Sequence, residues 1–294
     1  MKLDIIQLNC LGNREKNEDR LLVVERGKTA LLVVADGMGG HRGGEIASQM
    51  VVDTLERLFN LCELPLQDPK GFLKNAIASA HTLINGEAQQ HKPVIDPRTT
   101  CVACVIQGET ASWAHIGDSR LYLLRDEKVL ARTTDHSYVE DLFQQGLINE
   151  AEMLTHPKRS YITQCVGGET ARPEVTLDEF THLEKGDVVI LCSDGLWSAV
   201  DEALICNVTE QAEFEQTINQ LTQKAESSSY PQSDNITVVA ARATNLDNAD
   251  IEAAKDSLEH AAGNTGDHLD HAVNTINQAF EDYSNEMDYD PDTK

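Results

Sequence analysis

Four aspartates stand beside turn residues at the ends of strand-like runs. They are Asp36 in Ala35-Asp36-Gly37, Asp118 in Gly117-Asp118-Ser119, Asp194 in Ser193-Asp194-Gly195 and Asp234 in Ser233-Asp234-Asn235. A further acidic pair, Glu18-Asp19, follows Arg14 in Arg14-Glu15-Lys16-Asn17-Glu18-Asp19. One such aspartate is an ordinary turn residue, because its carboxylate accepts hydrogen bonds from nearby backbone N–H groups. The set asks for more. Carboxylates converging at the ends of adjacent buried strands repel one another unless a hard divalent cation sits among them. Mg²⁺ and Mn²⁺ take oxygen ligands in octahedral geometry and retain waters, whereas zinc prefers histidine and cysteine. Two such ions about 3.5–4 Å apart bridge a water, lower its pKa and present hydroxide in line with a phosphorus atom. That chemistry needs no nucleophilic side chain.

The elements that must position these groups are legible in outline. Leu31-Leu32-Val33-Val34-Ala35 and Val188-Val189-Ile190-Leu191-Cys192 are apolar runs ending at Asp-Gly turns, which predicts buried strands. Ile236 to Ala241 is a third β-rich run, and Thr110 to His115 with Leu121 to Leu124 predict a hairpin around Ile116–Arg120. Helical periodicity runs through Glu45 to Phe59, Gly71 to Gln90 and Phe214 to Ala225. Strands and helices come in blocks, so the fold class is α+β with mostly antiparallel sheets. Residues 136–168 combine short helical patterns with loop signals at Gly146, Pro157 and Gly167-Gly168, and read as an insertion over one edge of the core.

Composition narrows the partners. The chain of 294 residues carries 24 Lys and Arg against 49 Asp and Glu, a net charge of −25. This excludes a nucleic-acid backbone or an anionic membrane surface as main partner. A phosphorylated substrate stays open, because bound metal ions locally reverse the sign. No apolar run reaches about 18 residues and the N-terminus lacks a signal-peptide pattern, so a cytoplasmic protein is expected. The seven cysteines are odd in number and irregularly spaced, which reads as reduced thiols. Cys101 and Cys104 lie three apart on a strand-like run and so point to opposite faces, as packing residues.

With these blocks in order, the sequence resembles the metal-dependent, type 2C serine/threonine protein phosphatases, especially the compact bacterial members. The resemblance covers about residues 4–244. It is carried by Arg14–Asp19, Val34-Ala35-Asp36-Gly37-Met38-Gly39-Gly40-His41, Gly43–Ser48, Thr99-Thr100, His115–Arg120, Thr134–Ser137, His156-Pro157, Ser193–Trp197 and Ser233–Val238. It implies a four-layer α-β-β-α sandwich with two central antiparallel β-sheets, and a phosphatase domain over 1–244 whose mobile flap is 136–168. It further implies two Mn²⁺ or Mg²⁺ ions, with a third held weakly. Asp36 bridges both ions, the Gly37 carbonyl ligates one, and Asp194 and Asp234 complete the other. Glu18 and Asp19 act through metal-bound waters, Asp118 with Asp194 holds the third ion, and Arg14 grips the phosphate through its planar fork. The implied substrate is a phosphorylated protein in a bacterial serine/threonine kinase pathway.

One departure concerns the proton. Many eukaryotic relatives have histidine directly after the Asp-Gly pair, where this chain has Met38. His41, three residues on, is the candidate general acid, against a metal-bound water in that role. The Gly39-Gly40…Gly43-Gly44 run lacks the Gly-Lys-Ser/Thr ending of a phosphate-cradling P-loop. His115, His136 and His156 have no i, i+4 pairing and are not expected to ligate metal. Lys158-Arg159 in the insertion either draws in acidic phosphopeptides or is a solvated charge pair.

Residues 245–294 form an acidic, partly helical tail, with nine Asp and four Glu against two Lys. Leu269, Val273, Ile276, Phe280 and Tyr283 fall on one helical stripe, which predicts docking on the domain, self-association or a partner. Two other readings compete with an active phosphatase. One is a phosphatase-like binding module acting through its C-terminal helix, against which stands the complete ligand set. The other is a two-metal hydrolase of a different phosphate ester.

Overall fold

Thr29–Ala35 is buried along its whole length, as an unbroken apolar run in a doubly covered sheet must be. Its alternate residues serve two cores. Leu31, Val33 and Ala35 pack with helical residues, whereas Ala30, Leu32 and Val34 pack with residues of a second sheet. That division organises the molecule. The computed structural model describes residues 1–38, 43–91, 94–168, 173–177, 181–209 and 213–244. His41 and the tail stripe from Leu269 to Tyr283 lie outside the described residues.

The strands are β1 (Lys2–Cys10), β2 (Arg20–Arg26), β3 (Thr29–Ala35), β4 (Gly37–Met38), β5 (Arg98–Thr99), β6 (Cys101–Gln107), β7 (Thr110–Ile116), β8 (Arg120–Arg125), β9 (Lys128–Arg132), β10 (Val166–Gly167), β11 (Thr176–Leu177), β12 (Thr181–His182), β13 (Val188–Cys192) and β14 (Ile236–Thr244). The helices are α1 (Gly44–Leu61), α2 (Pro69–Gln90), α3 (Tyr138–Gln144), α4 (Glu150–Thr155), α5 (Asp194–Trp197), α6 (Glu202–Cys206) and α7 (Phe214–Ser229). A five-stranded sheet has the order β1-β14-β13-β8-β9. A six-stranded sheet has the order β11-β7-β6-β3-β2, with β12 also on β7. A short ladder, β10-β5-β4, joins the two residues after Asp36 to the C-terminal end of the insertion. All the ladders are antiparallel.

Three apolar cores separate four layers. One lies between α1, α2 and the six-stranded sheet, with Val51, Leu55, Phe59, Ile77 and Ile84 at its centre. The second lies between the sheets and holds Trp113 with Leu121, Leu191 and Val239. The third joins the five-stranded sheet to α5, α6 and α7 through Ile190, Leu196, Ile218 and Val238. This is the α-β-β-α sandwich the resemblance implies. Cys101 belongs to the first core and Cys104 to the second, so the pair does point to opposite faces. Burial alone pushes the Cys101 thiol up to about 12, which leaves it inert.

The expected hairpin around Ile116–Arg120 is not formed. β7 pairs with β6, β11 and β12, whereas β8 pairs with β13 and β9. The Gly-Asp-Ser signal does mark a turn, but one that carries the chain from one sheet to the other. Ala111 and Trp113 of β7 face Leu121 and Leu123 of β8 across the inter-sheet core. Both strands are buried on both faces, which a sheet edge exposed to water cannot provide. Asp118 therefore sits on the arch between the sheets.

Within the insertion, Ser137 caps α3 by accepting from the Glu140 N–H, and Asn149 with Glu152 forms a capping box on α4. The segment is pinched at its base. The His136 carbonyl accepts from the Thr163 N–H at 2.8 Å, and the Tyr138 N–H donates to the Tyr161 carbonyl at 2.9 Å. Among the described residues no helix is long and apolar enough to cross a membrane.

Candidate functional site

Asp36 leaves β3 under tight backbone control. Its N–H donates to Thr100 Oγ1 at 2.9 Å, and its carbonyl accepts from the Thr100 N–H at 2.8 Å and from Thr99 Oγ1 at 2.9 Å. Thr100 Oγ1 also shares a hydrogen bond with Ser119 Oγ at 2.6 Å, which ties this turn to the one bearing Asp118. The next residue has to be glycine. A Cβ on Gly37 would collide with the carbonyls of Gly44 and Glu18, so the start of α1 and the Glu18 loop close onto this point.

Asp194 opens α5, two residues after β13, and Asp234 precedes β14. A Cβ on Gly195 would strike the Asn235 carbonyl, and its absence lets the two aspartate turns touch. Asn235 then pins the 11–18 loop. Its Oδ1 accepts from the Glu18 N–H at 2.9 Å, and its Nδ2 donates to the carbonyls of Leu11 at 2.8 Å and Lys16 at 3.0 Å. Ser193 Oγ donates to Asp19 Oδ2 at 2.7 Å and accepts from the Thr237 N–H at 3.0 Å. On the far side, Trp197 Nε1 donates to the Asp118 carbonyl at 2.9 Å. The Trp197 ring lies 3.6 Å below the guanidinium carbon of Arg120, whose fork grips Asp135 at 2.8 and 2.7 Å.

These turns surround a cleft of about 720 Å³ at one end of the sheets. Arg14, Glu18, Asp36, Gly37, Asp118, Asp194 and Asp234 all line it, so seven of the sequence-predicted site residues meet in one place. Asp19 lies beneath, 1% exposed, on Ser193. Ser160 and Ile162 bring the insertion to the same cleft. His115 and His136 are engaged elsewhere, with Thr134, Gly117 and Thr176.

The electrostatics follow from crowding. Burial, then the charges of Asp19, Asp194, Asp118 and Asp234, holds the Asp36 carboxyl well above the usual carboxylate range. Burial together with Asp194 and Asp135 does the same to Asp118. Asp194 is pushed up to about 7 by burial and by Asp234 and Asp19, with Arg14 and Arg159 opposing. Burial and Glu45 raise Glu18. A set of oxygen donors that repel one another in a partly desolvated cleft fits hard divalent cations, which would relieve the repulsion. Among the described residues no three Asp, Glu, His or Cys side chains are already closed into a cage. Arg14 Nη2 instead holds Asp234 Oδ2 at 2.6 Å.

Sequence reading missed the supporting residues Thr100, Ser119, Ser193 and Asn235. Each stands within a quoted block, and Ser119, Ser193 and Asn235 adjoin an aspartate, but which group each would hold depends on contacts between distant segments.

An α-β-β-α sandwich that gathers carboxylates at one end of its paired sheets has the build of a divalent-cation hydrolase. The family profile described as Protein phosphatase 2C matches residues 7–235, and the chain belongs to that family. It is 34% identical over 234 residues to the serine/threonine protein phosphatase PstP of Mycobacterium tuberculosis, covering 80% of this chain and 43% of that one. The chain thus spans less than half the length of that relative. It is 32% identical over 235 residues to the serine/threonine phosphatase stp of Listeria innocua, covering 77% of this chain and 90% of that one. The crystal structure of the PstP catalytic domain in complex with two manganese ions is similar, with a TM-score of 0.70 and 31% identity over 83% of this chain and 99% of that one.

Proposed function

We propose that the protein is a divalent-metal-dependent phosphatase of phosphoserine and phosphothreonine in proteins, opposing a bacterial serine/threonine kinase. The observation that carries this reading is the meeting of Asp36, Asp118, Asp194, Asp234 and Glu18 with Arg14 in one cleft. Family membership and the relatives' names agree with it.

Asp36, the Gly37 carbonyl, Asp194 and Asp234 would hold two Mn²⁺ or Mg²⁺ ions, with Glu18 and Asp19 acting through waters. Asp118 with Asp194 would hold a weaker third. When bound, these ions would supply Lewis acidity and, by lowering the pKa of water, a hydroxide nucleophile at neutral pH. The chain's own residues do the rest. Arg14, more than half exposed at the cleft mouth, is free to swing between Asp234 and a phosphate. Arg159 lies near enough to Asp194 to lower its pKa, and so adds positive potential on the insertion side. His41 is the candidate to protonate the leaving alkoxide. Residues 1–244 are the phosphatase domain in this reading, and 245–294 an acidic extension that docks, self-associates or binds a partner.

The test is Mn²⁺-dependent phosphate release from a phosphothreonine peptide by the full chain, by Asp194→Ala and by a chain truncated after Thr244. Activity in the full and truncated chains with a dead Asp194→Ala supports the reading. An inactive full chain with Mn²⁺ bound overturns it, as does activity that persists in excess chelator.

A further inference from the structure

The His136 imidazole is half-buried between strand β11 and the arch that bears Asp118, and both of its nitrogens are in use. Nδ1 faces the Gly117 N–H at 3.1 Å, so it carries a lone pair. The ring proton is then on Nε2, which donates to Thr176 Oγ1 of β11 at 2.9 Å. The backbone repeats the connection. The His136 N–H donates to the Gly117 carbonyl at 2.9 Å, and the His136 carbonyl accepts from Thr163 at 2.8 Å. One residue thus bonds the turn before Asp118, strand β11 and the returning arm of the insertion. The ring also stacks on His115, with centroids 4.7 Å apart and planes 18° from parallel. Burial, with the neighbouring His115, pushes His136 down to about 4, so the imidazole is neutral and its lone pair available at physiological pH.

The returning arm, Tyr161–Thr163, contains Ile162, which bridges to Ser137 and lines the cleft with Ser160. Shifts of this arm therefore reach the cleft from one side, and shifts of Gly117 reach it through Asp118. We propose that His136 is a positioning residue that clamps the neck of the 136–168 insertion to the Asp118 arch, so that the insertion's cleft wall and the Asp118 carboxylate are held as one unit. The clamp itself is a matter of hydrogen bonds; its effect on turnover rests on the phosphatase reading above.

Three replacements divide the ring's roles. His136→Asn places Oδ1 where Nδ1 stands and keeps the acceptor for Gly117. His136→Gln reaches toward Thr176 and loses that acceptor. His136→Phe keeps the ring stack and loses both bonds. Amide hydrogen exchange on the full chain in chelator reads the clamp without reference to activity. The expected result is exchange about fivefold or more faster at Gly117 and at residues 161–163 together in His136→Phe and His136→Gln, with protection retained in His136→Asn. With Mn²⁺ the same two variants should raise KM for a phosphothreonine peptide more than for a small aryl phosphate. Exchange at Gly117 that is unchanged in His136→Phe overturns the clamp, as does loosening at Gly117 without loosening at 161–163. An inactive protein whose exchange follows His136 overturns the phosphatase reading and leaves the clamp standing.

Discussion

Arg14 and Asp234, 220 positions apart in sequence, are joined at 2.6 Å across the mouth of the carboxylate cleft. In the proposed function Asp234 would serve a metal ion and Arg14 a phosphate, so each would draw on a group that now faces the other.

Arg14→Ala should separate binding from stability. The pair is exposed, with side chains 56% and 38% accessible, and such pairs contribute about 0–1 kcal/mol. The melting temperature should therefore barely move. KM for a phosphopeptide should rise about tenfold or more, as expected when a bidentate charged contact is lost. Steady-state kinetics beside a thermal melt checks both; a large fall in melting temperature with unchanged KM contradicts the assignment.

Asp36→Asn should be more stable than wild type in chelator and nearly inactive with Mn²⁺. The substitution removes the carboxylate most crowded by Asp19, Asp194, Asp118 and Asp234. It also removes the proposed bridge, and loss of several kcal/mol of metal-ion catalysis lowers the rate by on the order of 10³-fold. Melting in chelator and calorimetric Mn²⁺ titration are the measurements. A variant that is destabilised in chelator contradicts the repulsion argument.

The metal-free protein should lose stability as pH rises from 6 to 8. Asp194 titrates at about 7 in the fold against an ordinary value of 3.8. Between those values the native state holds a proton that the unfolded chain has released, so stability is present at the lower pH and lost through about 7. The raised Asp36 and Asp118 act in the same direction. His136, at about 4, has the opposite sign and reduces the gain below about pH 6.5, where the unfolded chain takes up its proton. A Tm several degrees higher at pH 6 than at pH 8 in chelator, with the slope abolished by saturating Mn²⁺, is the expected pattern.

Ser193→Ala should cost about 1–3 kcal/mol, because it takes one donor from a buried carboxylate and leaves a buried N–H without its acceptor. Asp19 loses its 2.7 Å donor and the Thr237 N–H loses its 3.0 Å acceptor. Denaturant unfolding measures the loss; a change under about 0.5 kcal/mol would place the Ser193 hydroxyl outside the support of Asp19.

Gly195→Ala should be worse for function than for the fold. The added methyl meets the Asn235 carbonyl, so the Asp194 and Asp234 turns must part. Overpacking of this kind costs about 1–3 kcal/mol. Mn²⁺ affinity should fall more than tenfold while the chain stays folded, which calorimetry and circular dichroism together can show.

The carboxylates were legible because strand-end aspartates beside glycine leave a local signature, and the apolar runs of β3, β13 and β14 are unambiguous. The arch at Gly117–Ser119 was not, since the same three residues turn a hairpin or cross between layers. The choice lies in which strand pairs with β8, and β13 is remote in sequence from the turn. Ser193, Thr100 and Asn235 were likewise opaque in role. Their side chains bond backbone groups brought near only when both sheets have closed.

The pairing of β1 with β14 runs from Lys2 opposite Thr244 to Cys10 opposite Ile236, so the first of the described strands is completed by the last of them. During synthesis at about 5–20 residues per second, β1 waits on the order of ten seconds or more for its partner. Over that interval Ile5, Ile6 and Leu8 have no neighbouring ladder, and the Asp234 end of the cleft does not yet exist. Until β14 emerges, a nascent chain of this protein therefore carries an incomplete carboxylate cleft and an unpaired β1.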